Sequence, residues 1–236
     1  AHAVGTPDHR HALCRLWCCT GRSQPVTAAR WSVVWGSRYG ANPIGSPLAS
    51  FNRTSPLPFR ILTFCGSLRA ASSNLALLSA AERLAPDGLI LSRYDRIGDL
   101  PHFVPDLDIT DHLPEIVIDL REQVARADGL LFAVPEYMHA LPGSFKNALD
   151  WMVGCQKFPG KPVAVAHVTS RHAFAPVQLE EILRTMSAEI VSEAGFSLGL
   201  SSNAVTPEMI CTDASLAAIV TRHLDRYQTW LSRERG

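Results

Sequence analysis

The 236-residue chain carries 22 basic and 22 acidic side chains, and 47% of its residues are apolar. Balanced charge argues against a nucleic-acid-binding domain, which is normally strongly basic, and the apolar fraction suffices for the core of one sizeable domain or two small ones. No run approaches the roughly 18–20 consecutive apolar residues of a membrane span. We therefore expect a protein that binds neither nucleic acid nor membrane. Six irregularly spaced cysteines do not predict a disulfide scaffold.

The charge is unevenly distributed along the chain. Residues 1–58 hold six arginines, no lysine and one acid, so they carry a net +5 and the remainder a net −5. Because this segment is rich in Ser, Pro and Gly and has no sustained periodicity, we predict an irregular extension, disordered or non-native, ahead of a domain over residues 59–236. Its composition is also typical of an organelle transit peptide. Its metal-binding residue types fit no zinc spacing, so we predict no metal site: His9, His11, Cys14, Cys18 and Cys19.

Strands and helices alternate from Phe59 onward. Short apolar runs predict buried strands over residues 61–65, 89–91, 129–134 and 162–166, with a fifth opening at 190–191. Apolar residues at helical spacing predict helices over residues 75–84, 116–127, 144–153, 179–186 and 216–231. The last helix has Thr212 or Asp213 as its predicted N-cap. This alternation predicts an α/β fold, a flavodoxin-like three-layer sandwich with a five-stranded parallel sheet in the order 2-1-3-4-5.

The loop after the first strand contains residues suited to an anion. Gly66 allows a tight turn, and the hydroxyl and N–H groups before the following helix can hold a phosphate. Arg69 adds a forked cation. Neither a Walker loop nor a G-x-G-x-x-G fingerprint is present. The alternative is that Ser72 or Ser73 merely caps the helix while Arg69 is solvated, and the loop alone does not decide between the two.

The loop after the third strand is bracketed by prolines and a glycine. Backbone N–H groups on such a rigid loop can meet the edge of a flat heteroaromatic ring, and Tyr137, Met138 and His139 could form a wall beside that ring. Trp151 is interpreted as core or interface packing. In an open parallel sheet both loops lie at the carboxyl ends of the strands, where ligands bind.

Two long motifs together resemble the NADPH-dependent FMN reductase family over approximately residues 60–230. The first is Gly66-Ser67-Leu68-Arg69-x-x-Ser72-x-Asn74. The second is Pro135-Glu136-Tyr137 followed by Pro142-Gly143-x-x-Lys146-Asn147-Ala148-x-Asp150-Trp151. The resemblance implies a flavodoxin-like enzyme with FMN as cofactor, NADPH as co-substrate and a small-molecule acceptor: a quinone, azo compound, flavin or metal oxyanion. It also implies ligands of the FMN phosphate, Ser67, Arg69, Ser72 and Asn74, and contacts to the isoalloxazine ring, largely through backbone, from Pro135, Glu136, Tyr137 and Met138.

The chain departs from the family pattern in two places. Met138 stands where the family often has Asn, which loses a polar contact but allows packing against the ring. The loop over residues 169–175 lacks the glycine that the family commonly has there, so contacts of this loop with the flavin edge and nicotinamide are left open. Because the cofactor carries the chemistry, no dedicated acid or base is required. His139 is a candidate proton donor, and Glu136 is expected to make structural hydrogen bonds.

The resemblance also implies a homodimer or homotetramer, and aromatic residues suitable for an interface are available: Phe103, Phe145, Trp151 and Phe158. Cys65 is interpreted as a small buried residue with a raised pKa. Reduced cysteines and the lack of an export signal favour the cytoplasm, or an organelle if residues 1–58 are a genuine leader. A non-enzymatic FMN-binding electron carrier or sensor module is the competing class.

Overall fold

The computed structural model describes residues 57–109, 112–169, 174–200 and 204–234. The predicted extension over residues 1–58 lies outside these ranges except for its last two residues, and so do the candidate metal ligands near the amino terminus. The strands are β1 Phe59–Cys65, β2 Leu89–Arg93, β3 Gly129–Ala133, β4 Pro162–His167, β5 Glu189–Ile190 and β6 Phe196–Ser197. The α-helices are α1 Ser73–Leu84, α2 Glu115–Arg126, α3 Gly143–Met152, α4 Ala175–Thr185, α5 Pro207–Thr212 and α6 Ala214–Glu234.

The strands form one parallel sheet in the order β2-β1-β3-β4-β5, which confirms the prediction. The fifth position is divided between two short strands. β5 pairs with Pro162 and Val163 at the start of β4, whereas β6 pairs with Ala166 and His167 at its end. A 3₁₀ turn over Ser192–Ala194 separates the two. The sequence therefore predicted only the first half of this edge.

Both faces of the sheet are buried, because successive side chains of β1 and β3 point into two apolar cores on opposite sides. Ile61 and Cys65 of β1 pack into the core formed with α1, α5 and α6. Leu62 and Phe64 point to the opposite core, formed with α2, α3 and α4. Since β1 lies beside both β2 and β3, the chain order reverses there, and the loops after β1 and β3 emerge together at the carboxyl edge of the sheet.

Three of the aromatic residues expected at an interface lie inside the chain's own core. Phe145 and Trp151 are fully buried and Phe158 is 1% exposed, all three in the core shared with α2 and α3. Phe103 is partly buried and packs edge-on against Trp151, with ring centroids 5.0 Å apart. The expectation of an interface is wrong for Phe145, Trp151 and Phe158, because their side chains are already buried within the chain's own core.

In the described ranges, no helix combines the length and the apolar content that crossing a membrane requires. The same ranges contain no group of three or more His, Cys, Asp or Glu side chains arranged to hold a metal ion. Cys65, Cys155 and Cys211 are free thiols.

Candidate functional site

The loop after β1 begins where the two central strands lie closest together. The Gly66 N–H donates to the Ala133 carbonyl at 2.9 Å, continuing the β1–β3 pairing by one residue. A Cβ atom at position 66 would lie 2.8 Å from Cγ1 of Val134. Glycine is therefore required here by the close approach of β3. This is a more specific reason than the tight turn inferred from the sequence.

Ser72 caps helix α1. Its backbone is extended, with φ −87° and ψ 130°, and its hydroxyl accepts from the Leu75 N–H at 3.4 Å. The capping interpretation of this serine is thus confirmed. It is compatible with anion binding, because a hydroxyl that accepts one hydrogen bond still has its own proton to donate, and the amino end of a helix favours negative charge.

Polar side chains are buried in this loop to an unusual degree. Of the four buried side chains that are polar and not aromatic among the described residues, three belong to the loop: Ser67, Ser72 and Asn74. The Asn74 carbonyl oxygen is buried without a hydrogen-bond partner, a costly state unless a ligand supplies one. The ribityl hydroxyls of FMN are donors of the required kind.

Arg69 supplies the only charge in this loop. Its side chain is exposed, and no carboxylate in the part of the chain that the structure describes forms an ion pair with it. A guanidinium without a carboxylate partner, next to buried hydroxyls and a helix amino end, is a donor set that fits a phosphate monoester. The residues of the loop therefore fit the FMN phosphate.

Cys65 lies directly beneath the loop. Its thiol donates to the Ser67 carbonyl at 3.4 Å and lies 3.9 Å from the Ser72 hydroxyl. Burial raises the pKa of this thiol, and the contacts with Ser67 and Ser72 only partly oppose that rise. The prediction of a small buried cysteine with a raised pKa is confirmed.

The loop after β3 is anchored by Glu136. Its carboxylate accepts from the backbone N–H groups of Phe174 and Ala175, at 2.8 and 2.9 Å, and so caps the start of α4. The expected structural hydrogen bonds of this carboxylate are present. Pro135, immediately before it, is buried at the end of β3.

Residues 137–140 form a two-residue hairpin. The Tyr137 and Ala140 backbones exchange hydrogen bonds of 2.9 and 3.0 Å, with Met138 and His139 at the tip. Both tip residues have positive φ, 52° and 59°, a conformation that non-glycine residues adopt at a cost. Met138 is 97% exposed, while the His139 ring stacks on Phe174 with centroids 4.3 Å apart.

The Tyr137 side chain brings the two loops together. Its hydroxyl lies 3.2 Å from the Ser67 hydroxyl, although the residues are 70 positions apart in the chain. One residue at this site that sequence reasoning missed is Gln178 of α4. Its side chain accepts from the Leu141 N–H at 3.2 Å and donates to the His139 carbonyl at 3.4 Å. A lone glutamine on a helix gives no sequence signal for such a role.

The second half of the Pro135–Trp151 motif is structural. Asn147 and Trp151 lie one helical turn apart on α3, and both donate to the Pro101 carbonyl, at 2.9 and 2.7 Å. Asn147 also accepts from the Phe103 N–H at 2.8 Å. These bonds fix the long connection between β2 and α2. Outside that contact, Lys146 pairs with Asp150 on the helix surface.

The loop after β4 is only partly described, because Ser170, Arg171, His172 and Ala173 lie outside the described residues. The question of whether this loop, without a glycine, contacts the flavin edge or the nicotinamide therefore stays open.

A doubly wound parallel sheet, with an anion-type loop after β1 and a rigid hairpin after β3, defines a flavodoxin-like mononucleotide-binding protein. Comparison with known families makes this specific. The family model described as NADPH-dependent FMN reductase matches residues 59–202. The chain belongs to the NADPH-dependent FMN reductase family, whose enzymes are oxidoreductases with FMN as cofactor and NAD(P)H as co-substrate. The resemblance found in the sequence is confirmed.

Bacterial relatives support the assignment. A quinone reductase of Escherichia coli (strain K12) is 30% identical over 154 residues, covering 63% of this chain and 82% of the relative. An NAD(P)H-dependent FMN reductase of Pseudomonas aeruginosa is 31% identical over 182 residues, covering 75% and 97%. The solved structure of the flavoenzyme NAD(P)H:(acceptor) oxidoreductase from Paracoccus denitrificans superposes with a TM-score of 0.66 at 28% identity, covering 74% of this chain and 98% of that one.

Proposed function

We propose that this protein is an NAD(P)H-dependent, FMN-containing reductase that passes electrons from NADPH to a quinone, azo, flavin or metal-oxyanion acceptor. When bound, FMN would supply the redox chemistry, accepting a hydride from NADPH and then delivering it to the acceptor. The names of the quinone reductase and FMN reductase relatives suggest a quinone or flavin acceptor, and the azo and metal-oxyanion acceptors follow from the family resemblance alone.

One observation carries the proposal: the concentration of buried polar side chains in the Gly66–Asn74 loop, at the point where the sheet order reverses. The Ser67 and Ser72 hydroxyls have hydrogen-bond partners within the chain, but the buried amide oxygen of Asn74 has none, which is costly for an isolated fold. It is explained by a ligand that brings complementary hydrogen-bonding groups. On this proposal Ser67, Ser72 and Arg69 bind the phosphate, and Asn74 binds the phosphate or the ribityl chain.

The loop after β3 would orient the ring. Two residues restrict the backbone of this loop to one conformation. Pro135 does so through its fixed φ, and Glu136 does so by capping α4. Backbone groups of residues 135–138 would then meet the ring edge, with the Met138 side chain free to pack against the ring or an acceptor. His139 stays a candidate proton donor to a reduced acceptor, although its stacking on Phe174 gives the ring a structural contact as well.

The test is anaerobic reduction of the purified, FMN-loaded chain by NADPH. Rapid loss of the oxidised flavin absorbance supports a reductase, and reoxidation by a panel of quinone, azo dye, chromate and free flavin identifies the acceptor. A bound flavin that NADPH leaves oxidised would contradict the reductase and favour an electron carrier. Arg69→Ala, with Arg60→Ala as a control on the exposed start of β1, should weaken FMN uptake selectively.

We further propose that residues 59–236 form the flavin-binding domain and that residues 1–58 are dispensable for it. A chain lacking residues 1–58 should bind FMN with unchanged affinity, and loss of binding would contradict this division. Assembly into a homodimer or homotetramer stays a prediction, checked by light scattering of the full chain. A cytoplasmic location likewise stays a prediction.

A further inference from the structure

A hydrogen bond between the hydroxyls of Ser67 and Tyr137 joins the loops after β1 and β3. The Ser67 side chain is buried at 9% exposure, and Tyr137 is half exposed, so the contact lies at the rim of the proposed phosphate site. Nothing in the β1–β3 strand pairing requires it, because that pairing ends with the Gly66 N–H. The phenol therefore adds a link that the fold itself does not need.

The number of protons and lone pairs on the Ser67 hydroxyl decides which residue donates in its hydrogen bond with Tyr137. The Ser67 hydroxyl has one proton and two lone pairs, and one lone pair accepts from the Arg69 N–H at 3.3 Å. A dianionic phosphate can only accept, so Ser67 must donate its single proton to the phosphate in order to bind it. The hydrogen bond with Tyr137 then survives only if the tyrosine is the donor. The result is a chain from the Tyr137 hydroxyl through the Ser67 hydroxyl to a phosphate oxygen, in which each bond polarises the next.

The hairpin holds Tyr137 in the position that this chain needs. The Tyr137 backbone is fixed by its two hydrogen bonds with Ala140. The hairpin tip is tied to α4 through the bond from Gln178 to the His139 carbonyl and the stacking of His139 on Phe174. Positive φ values at both tip residues are maintained by these contacts despite their cost.

We infer that Tyr137 is a positioning residue for the flavin phosphate, acting through Ser67 and independently of the backbone contacts that its loop would make with the ring. This inference rests on the proposed function, since it presupposes that the Gly66–Asn74 loop binds FMN. It assigns the side chain and the backbone of one residue to opposite ends of the same cofactor.

The test compares FMN with riboflavin, which is FMN without its phosphate. Flavin-free full-length protein is titrated with each, and binding is followed by quenching of flavin fluorescence. Tyr137→Phe removes only the hydroxyl and should raise the Kd for FMN roughly 5–10-fold, the effect of one hydrogen bond between neutral groups, while changing the Kd for riboflavin less than about twofold. Tyr94→Phe is the matched control, because that hydroxyl donates to the Ile116 carbonyl, which belongs to neither loop.

A double-mutant comparison checks that the effect passes through Ser67. In a Ser67→Ala background, Tyr137→Phe should change the Kd for FMN less than about twofold, since the chain is already broken. Equal losses of FMN and riboflavin affinity, or full additivity of the two substitutions, would overturn the role of Tyr137 and leave the proposed function intact. A wild-type chain that takes up neither flavin would overturn both.

Discussion

Replacing Tyr227 with Phe should destabilise the fold without affecting flavin binding. Tyr227 lies on α6 and is 1% exposed, and its hydroxyl is 2.8 Å from the Pro162 carbonyl and 3.0 Å from the Leu130 carbonyl. These carbonyls belong to the first residue of β4 and the second residue of β3. Burial raises the pKa of this phenol far above its usual value, so the hydroxyl remains a donor at every pH at which the protein is handled.

The expected loss follows from the number of hydrogen bonds. One proton serves two carbonyls, so the substitution removes one hydrogen bond and leaves buried acceptors less well satisfied, which costs about 1–2 kcal/mol of unfolding free energy. The missing oxygen atom leaves only a very small cavity, which adds little to this loss of unfolding free energy. Tyr94→Phe offers a comparison, because its hydroxyl makes one longer bond of 3.3 Å to the Ile116 carbonyl and should cost less.

The assay is urea unfolding of the flavin-free chain followed by circular dichroism, together with an FMN titration of each variant. The Kd for FMN should be unchanged, because Tyr227 contacts the amino ends of the strands and the candidate site lies at their carboxyl ends. An unfolding free energy within about 0.3 kcal/mol of wild type would refute the proposed cost of the lost bond. A parallel loss of FMN affinity would refute the independence of the two ends of the sheet.

Substitutions at three further positions test other buried or capping groups. Thr63→Val should raise the unfolding free energy by about 1 kcal/mol, since the Thr63 hydroxyl is buried without a partner; a decrease in urea unfolding experiments would indicate a buried water bound there. Glu136→Ala should cost about 1–2 kcal/mol by removing the acceptor of two N–H groups, and Glu136→Gln less because it keeps an oxygen; equal losses would contradict the capping role. Burial lowers the pKa of His223 below its usual 6.5, so the unfolded chain binds the proton more readily and stability falls as the pH drops below about 6.5. His223→Gln should flatten that dependence, and an identical pH profile for both proteins would contradict it.

The sheet order was predictable because its strands are short apolar runs bounded by glycine and proline. The run at residues 61–65 extends to Phe59 in the structure, and the run at 129–134 ends one residue earlier. Asp213 caps α6 as expected, with its carboxylate accepting from the Ser215 and Leu216 N–H groups. Helix α5 was missed, since its six residues are too few for a periodic stripe.

The position of the candidate site was predictable from the sequence, whereas the contacts that organise it were not. Residues at strand ends can be placed once the strand order is known, which locates Ser67 and Tyr137 at one edge of the sheet. Whether the Tyr137 phenol turns toward the other loop depends on the conformation of the hairpin, which Met138 and His139 adopt against their own preference. Gln178 contacts a loop 37 residues earlier in the chain, and a local sequence pattern does not predict a contact between residues so far apart.

The two hydrogen bonds to the Pro101 carbonyl change what the motif over residues 142–151 indicates when it is found in a sequence. Asn147 and Trp151 occupy both lone pairs of this oxygen and thereby fix the loop before α2, a task that needs no flavin. A protein without its cofactor would still be stabilised by these two hydrogen bonds. As a signature in newly sequenced proteins, Lys-Asn-Ala-x-Asp-Trp therefore identifies the scaffold, whereas the residues from Gly66 to Asn74 are the ones to inspect for retained flavin binding.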